Sequence, residues 1–135
     1  KVDGENIVPF IHKTLERMKT VSDRIREDSK ITDVVNVGVG GSDLGPHTVC
    51  GALRPIEDGP NMHFVSNLDG AHVYETLEKI KPESTIFLIS SKSFSTQETM
   101  TNAQTIRQWF LESMSESEID NHFIEIGRAS CRERV

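Results

Sequence analysis

The apolar run Ile86-Phe87-Leu88-Ile89, followed at once by Ser90-Ser91-Lys92-Ser93-Phe94-Ser95-Thr96-Gln97-Glu98-Thr99, constrains this chain more than any other stretch. A short apolar run bounded by turn residues reads as a fully buried strand. Ser95-Thr96-Gln97-Glu98 has capping-box form, with Ser95 as the expected N-cap and Glu98 as its reciprocal partner. A buried strand that passes through hydroxyls into a helix start makes a cradle for phosphate. The helix N-terminus offers unpaired N–H groups and a partial positive charge, and the hydroxyls add donors that rotate toward anionic oxygens.

The same alternation runs through the rest of the chain. Ile7, Ile11, Leu15, Met18, Val21 and Ile25 recur every three or four residues and predict an amphipathic docking helix from Asn6 to about Arg26. Val34-Val35-Asn36-Val37 reads as a buried strand, ending in Gly38-Val39-Gly40-Gly41-Ser42-Asp43-Leu44-Gly45-Pro46. Ser42 or Asp43 is the expected cap of the next helix, with Pro46 in an early turn and Pro55 as its stop. A strand at His63-Phe64-Val65, a helix from Ala71 to Ile80, a strand from Thr85 to Ile89 and a helix from Thr96 to Glu112 complete the pattern. Three strands alternating with helices imply βαβ units and a parallel sheet.

Bulk properties exclude several function classes. The net charge of −6 opposes nucleic acid or an acidic membrane as the main partner. No apolar run approaches the ~20 residues that a membrane-spanning helix needs, and no signal peptide is visible. The first residue is Lys1, so the chain is expected to begin inside a longer protein. Cys50 and Cys131 are too few for a disulfide scaffold, which suits a reduced, cytoplasmic setting. His12, His47, His63, His72 and His122 are scattered without metal-ligand spacing, so no metal is expected.

The last residues, from Ile126 to Val135, turn abruptly basic without apolar periodicity. They match, codon for codon, the translation of a common sequencing adapter. They are read as an artefact, excluded from fold reasoning, and expected to add nothing to stability.

The glycine turn reads G-x-G-G-S-x-x-G. A dinucleotide fingerprint would need glycine where Asp43 stands, and a carboxylate there would face the pyrophosphate. That counts against a dinucleotide-dependent oxidoreductase. Glycines at such a turn also serve close helix–sheet packing, and both readings stay open. In open α/β sheets the loops at the carboxyl ends of strands line one crevice. The glycine and hydroxyl loops both lie there, which points to a phosphorylated small ligand. Lys92 either adds charge to that site or is a solvated loop lysine. Asp69 in Asn67-Leu68-Asp69-Gly70 reads as a helix cap, and Trp109 with Phe110 as core or interface.

Val37–Pro46, Phe64–Gly70 and Ser90–Thr99, in this order and spacing, strongly resemble the signature segments of the glucose-6-phosphate isomerase family. The resemblance implies an α/β three-layer sandwich with a parallel sheet in flavodoxin-like order, here incomplete. The family's sugar isomerase domain has five parallel strands. On this reading residues 1–30 form an N-terminal helical segment, 31–125 a partial sugar isomerase domain and 126–135 the artefactual tail. Three strands would leave an unpaired apolar edge and poor solubility. The implied activity is interconversion of glucose 6-phosphate and fructose 6-phosphate through an enediol, without a cofactor, in a cytoplasmic homodimer. No catalytic residue of the family matches a position here. Gly41 and Ser42 match its sugar contacts. Ser91, Lys92, Ser93, Phe94, Ser95 and Thr96 match its phosphate loop, with serine at 93 and 95 where threonine is common. The bridge from Glu27 to Ile31 is shorter than in many relatives. A non-catalytic sugar-phosphate sensor of the same fold is the alternative.

Overall fold

The computed structural model describes residues 6–54 and 58–127. The expected helix stop at Pro55, Cys131 and most of the presumed tail lie outside the described residues. The chain divides into two units, Lys1–Lys30 and Ile31–Val135.

The first unit is one helix, α1 (Val8–Glu27), with a proline in its first turn and Arg24 and Arg26 in its last, where cations complement the helix dipole. Asn6 Oδ1 accepts the Val8 N–H at 3.2 Å, so Asn6 precedes the helix instead of starting it.

The second unit is an open α/β layer structure. In chain order it holds β1 (Asp33–Val37), α2 (Gly41–Leu53), β2 (Asn61–Val65), α3 (Gly70–Leu77), β3 (Thr85–Ser90), α4 (Gln97–Leu111), the single turn α5 (Ile119–His122) and β4 (Phe123–Ile126). All strand pairs are parallel, in the order β2-β1-β3-β4. Right-handed crossovers put α2, which leads from β1 out to β2, and α3, which leads back across β1 to β3, on opposite faces. The chain reverses direction across the sheet between β1 and β3, and this is the topological switch point.

Four strands stand where three were expected. β4 was missed because it is four residues long, carries Glu125 and ends in Ile126, the first residue assigned to the tail. Ile126 pairs with Ser90, and its carbonyl accepts the Ser91 N–H at 2.9 Å. Deleting the chain from Ile126 would therefore remove a rung of the sheet, contrary to the expectation of no effect. α3 also stops at Leu77, short of the expected Ile80, which is nonetheless buried.

Alternation along β1 divides the interior. Val35 and Val37 face one layer with Val73, Leu77, Ile106 and Phe110, and join Phe87, Ile89 and Phe123 in the main core. Phe87 is its centre. It stacks on Phe123 at 4.8 Å between ring centroids and meets Phe110 and Trp109 edge-on at 6.2 and 6.4 Å. On α4, Ile106 faces inward, whereas Arg107 faces outward to Glu116 at 2.7 Å. His122 Nδ1 donates to the Thr85 carbonyl at 2.7 Å and anchors the start of β4 to β3. At the amino end of the sheet, Asp33 meets His63 Nε2 at 2.8 Å and accepts from Thr32 Oγ1 at 2.7 Å. No helix among the described residues is long and apolar enough to cross a membrane.

Because Phe87 is fully buried among three aromatic rings, Phe87→Ala should lower the unfolding free energy by about 3–5 kcal/mol. Urea denaturation would check this, and a loss under about 1 kcal/mol would contradict the packing described.

Candidate functional site

Two loops emerge at the carboxyl ends of the strands flanking the switch point: Gly38–Gly40 after β1 and Ser91–Thr96 after β3. The rule for open parallel sheets places a ligand in the crevice between such loops.

The hydroxyl loop is shaped from within. Ser91 is buried, and its Oγ accepts the Phe94 N–H at 3.1 Å. Its own proton remains free to donate. Phe94 is the one non-glycine described residue with positive φ, at 50°. Such a backbone costs about 1–3 kcal/mol and persists where surrounding structure imposes it. Here the half-buried ring packs against the main core, and any Cβ at Gly127 would clash with it. The ring therefore acts as the anchor, and the polar residues on either side turn outward. Lys92, Ser93 and Ser95 are exposed, and the Ser93 and Ser95 hydroxyls bond to each other at 2.6 Å.

The capping box expected at Ser95 does not form. The N-cap of α4 is Thr96, with extended backbone and no side-chain cap bond. Ser95 lies one residue too early, because the turn at Phe94 delays helical geometry, and its hydroxyl is engaged by Ser93. The first amide satisfied at this end is that of Met100, bonded to the Thr96 carbonyl at 3.0 Å. Gln97, Glu98 and Thr99 N–H groups are thus the orphan donors of the helix start, with the uncapped Thr96 hydroxyl beside them.

The start of α2 is built differently. Its N-cap is Gly40, not Ser42 or Asp43, with φ 57° and ψ −124°, a conformation open to glycine. Ser42 and Asp43 amides bond back to Val39 and Gly40 carbonyls at 3.2 and 3.1 Å. This turn therefore has fewer free donors than α4 and suits a polar, uncharged ligand group better than a phosphate. Gly41 is exposed with open space around it, and Ser42 is half-buried. Gly38 is required by contact, since a Cβ there would lie 2.9 Å from both the Ser42 Cβ and the Ser90 carbonyl oxygen.

The structure therefore places Gly41 and Ser42, in the first turn of α2, and the Ser91–Thr96 loop at the carboxyl ends of the adjacent strands β1 and β3. Asp69 stands apart as a cap, its side chain accepting the Ala71 N–H at 2.9 Å. Sequence reasoning missed Asn36, a buried amide in β1 that bonds to Ser42 in the first turn of α2 and to Ser90 at the end of β3. It also missed two buried polar atoms without a hydrogen-bond partner among the described residues, Asp43 Oδ1 and Thr99 Oγ1, which lie in the first turns of α2 and α4. No group of three His, Cys, Asp or Glu side chains suited to a metal occurs among the described residues.

Fold and site together define a class: an open parallel α/β domain with an uncapped helix start at its switch point, beside a glycine turn. The sequence profile of phosphoglucose isomerase matches residues 1–133, and the chain belongs to that family. Among solved structures, a glucose-6-phosphate isomerase from Chlamydia trachomatis D/UW-3/Cx superposes with a TM-score of 0.69 at 29% identity, over 83% of this chain and 22% of that one. A hypothetical protein from Thermus thermophilus gives 0.70 at 27% identity, over 83% of this chain and 27% of that one. The chain thus spans about a quarter of the length of these two proteins.

If the Phe94 ring holds the loop in its strained turn, Phe94→Ala should speed amide exchange across Ser93–Thr96 by about tenfold or more, while β1 and β3 amides stay protected. Unchanged exchange in the loop would show that the ring is not its anchor.

Proposed function

We propose that this chain carries the phosphate- and sugar-binding loops of a glucose-6-phosphate isomerase, which interconverts glucose 6-phosphate and fructose 6-phosphate through an enediol. One observation carries the reading: an uncapped α4 start with free amides and outward hydroxyls, at the switch point of a domain of this family. The substrate phosphate sits at the α4 N-terminus. There the Gln97–Thr99 amides, the Ser93, Ser95 and Thr96 hydroxyls and the Lys92 ammonium meet its negative charge. Gly41 and Ser42 face the sugar, and the missing side chain at Gly41 lets it approach the backbone.

Isomerisation moves a proton between adjacent carbons, and the oxidation of one carbon balances the reduction of the other, so no external redox cofactor is proposed. The chemistry needs a base placed within hydrogen-bond reach of that proton. None of the carboxylates or histidines here matches the family's acid–base residues, and none is assigned that role. The complete enzyme is read as a cytoplasmic homodimer without nucleic-acid or membrane partners.

Replacing Ser93 by Ala in the complete enzyme removes one hydrogen bond to a charged group. Affinity for glucose 6-phosphate should fall by about 1.5–3 kcal/mol, roughly ten- to a hundredfold. Calorimetric titration would measure this, and unchanged affinity would remove Ser93 from the site. This chain by itself should give no turnover in a coupled assay following fructose 6-phosphate formation. Turnover approaching that of a complete enzyme would mean that its own residues supply the base.

A further inference from the structure

We infer that Asn36 is a positioning residue that locks the glycine loop to the hydroxyl loop, so that phosphate held at α4 sets where the sugar meets Gly41 and Ser42. This rests on the reading of those loops given above. Asn36 lies in β1, on the strand face opposite Val35 and Val37, and is 3% exposed. A buried amide in a strand of valines costs free energy unless both of its ends are bonded. Both are: Nδ2 donates to the Ser42 carbonyl at 2.9 Å, and Oδ1 accepts from Ser90 Oγ at 2.7 Å.

The Ser42 carbonyl is available for a specific reason. In a regular helix it would accept the N–H of the residue four positions on, which is Pro46, and proline has no N–H. Pro46 thus leaves an orphan acceptor in the first turn of α2, and Asn36 fills it. Gly38 makes the approach possible, since any side chain there would collide with Ser42 and with the Ser90 carbonyl. On the other side, Ser90 directly precedes Ser91, whose hydroxyl sets the turn at Phe94. One side chain therefore bridges the backbone of the sugar-facing turn and the root of the phosphate loop. Without it, the Gly40–Gly41 turn would lose its side-chain tie to β1 and β3. A phosphate contact would then no longer fix the sugar's position.

The test uses the complete enzyme with two probes, inorganic phosphate and glucose 6-phosphate, and compares their dissociation constants. Asn36→Asp keeps the size and the acceptor for Ser90 but sets an anionic oxygen against the Ser42 carbonyl. Ser90→Ala removes the other bond, and Ser90→Thr keeps the hydroxyl. Asn36→Asp should leave phosphate binding within about twofold of the parent but weaken glucose 6-phosphate binding about tenfold or more, with a matching loss in kcat. Ser90→Ala should shift the ratio in the same direction, and Ser90→Thr should restore it. Equal weakening of both probes, or an unchanged ratio in Ser90→Ala if Asn36→Asp does not fold, would overturn the inference. If the parent enzyme binds glucose 6-phosphate no more tightly than phosphate, the proposed function itself fails, which is a separate result.

Discussion

The sheet of the second unit depends on the burial of β1. All five of its residues are buried, and it ladders to β2 and β3 in the same register from Asp33 to Val37. A central strand with parallel neighbours on both sides cannot slip by one residue without exchanging its two faces, which would carry Asn36 into the layer of Val35 and Val37. Its carboxyl end is therefore fixed relative to that of β3. This gives two loops a constant separation and makes the crevice between them a property of the backbone.

Structural compromises gather at that same end. Phe94 takes a left-handed backbone, Gly40 a conformation that side chains avoid, and Asp43 Oδ1 and Thr99 Oγ1 are buried without partners among the described residues. Pro46 interrupts the hydrogen bonding of α2. The opposite end is orderly, with Asp33, His63, Thr32 and Asn61 satisfying one another. Aromatic packing around Phe87 and the continuous β1–β3 ladder supply the stability that offsets these costs. Strain concentrated at the carboxyl end of the sheet and regularity elsewhere is the pattern that functional sites tend to show.

The relation to much longer structures of similar fold has a physical counterpart. The phosphate recognition proposed for this chain is a local property of one helix start and the loop before it, so a short stretch of sequence can hold all of its parts. Proton transfer at carbon needs groups converging on one atom from several elements. That convergence is expected of a larger assembly, and no residue here is assigned to it.

Much of this architecture was legible in the sequence. Apolar runs marked β1 and β3, helical periodicity marked α1, a helix-start pattern marked α4, and the hydroxyl and glycine loops stood out by composition. Asp69 was recognisable as a cap because an Asx cap depends only on residues two positions apart. Other features were not legible. The cap of α4 moved from Ser95 to Thr96, because packing of the Phe94 ring on the core decided where the helix begins. β4 was hidden because four residues carry too weak a pattern without a neighbouring strand to pair with. Asn36 was read only as part of a buried strand of valines. Its use became visible only when Ser42 and Ser90, six and 54 positions away, were brought to its two ends. The sequence determined three of the four strands, the longer helices and the glycine- and hydroxyl-rich loops, because these follow from short-range patterns. Which buried polar groups satisfy one another was decided by tertiary structure alone, because that depends on which strands become neighbours.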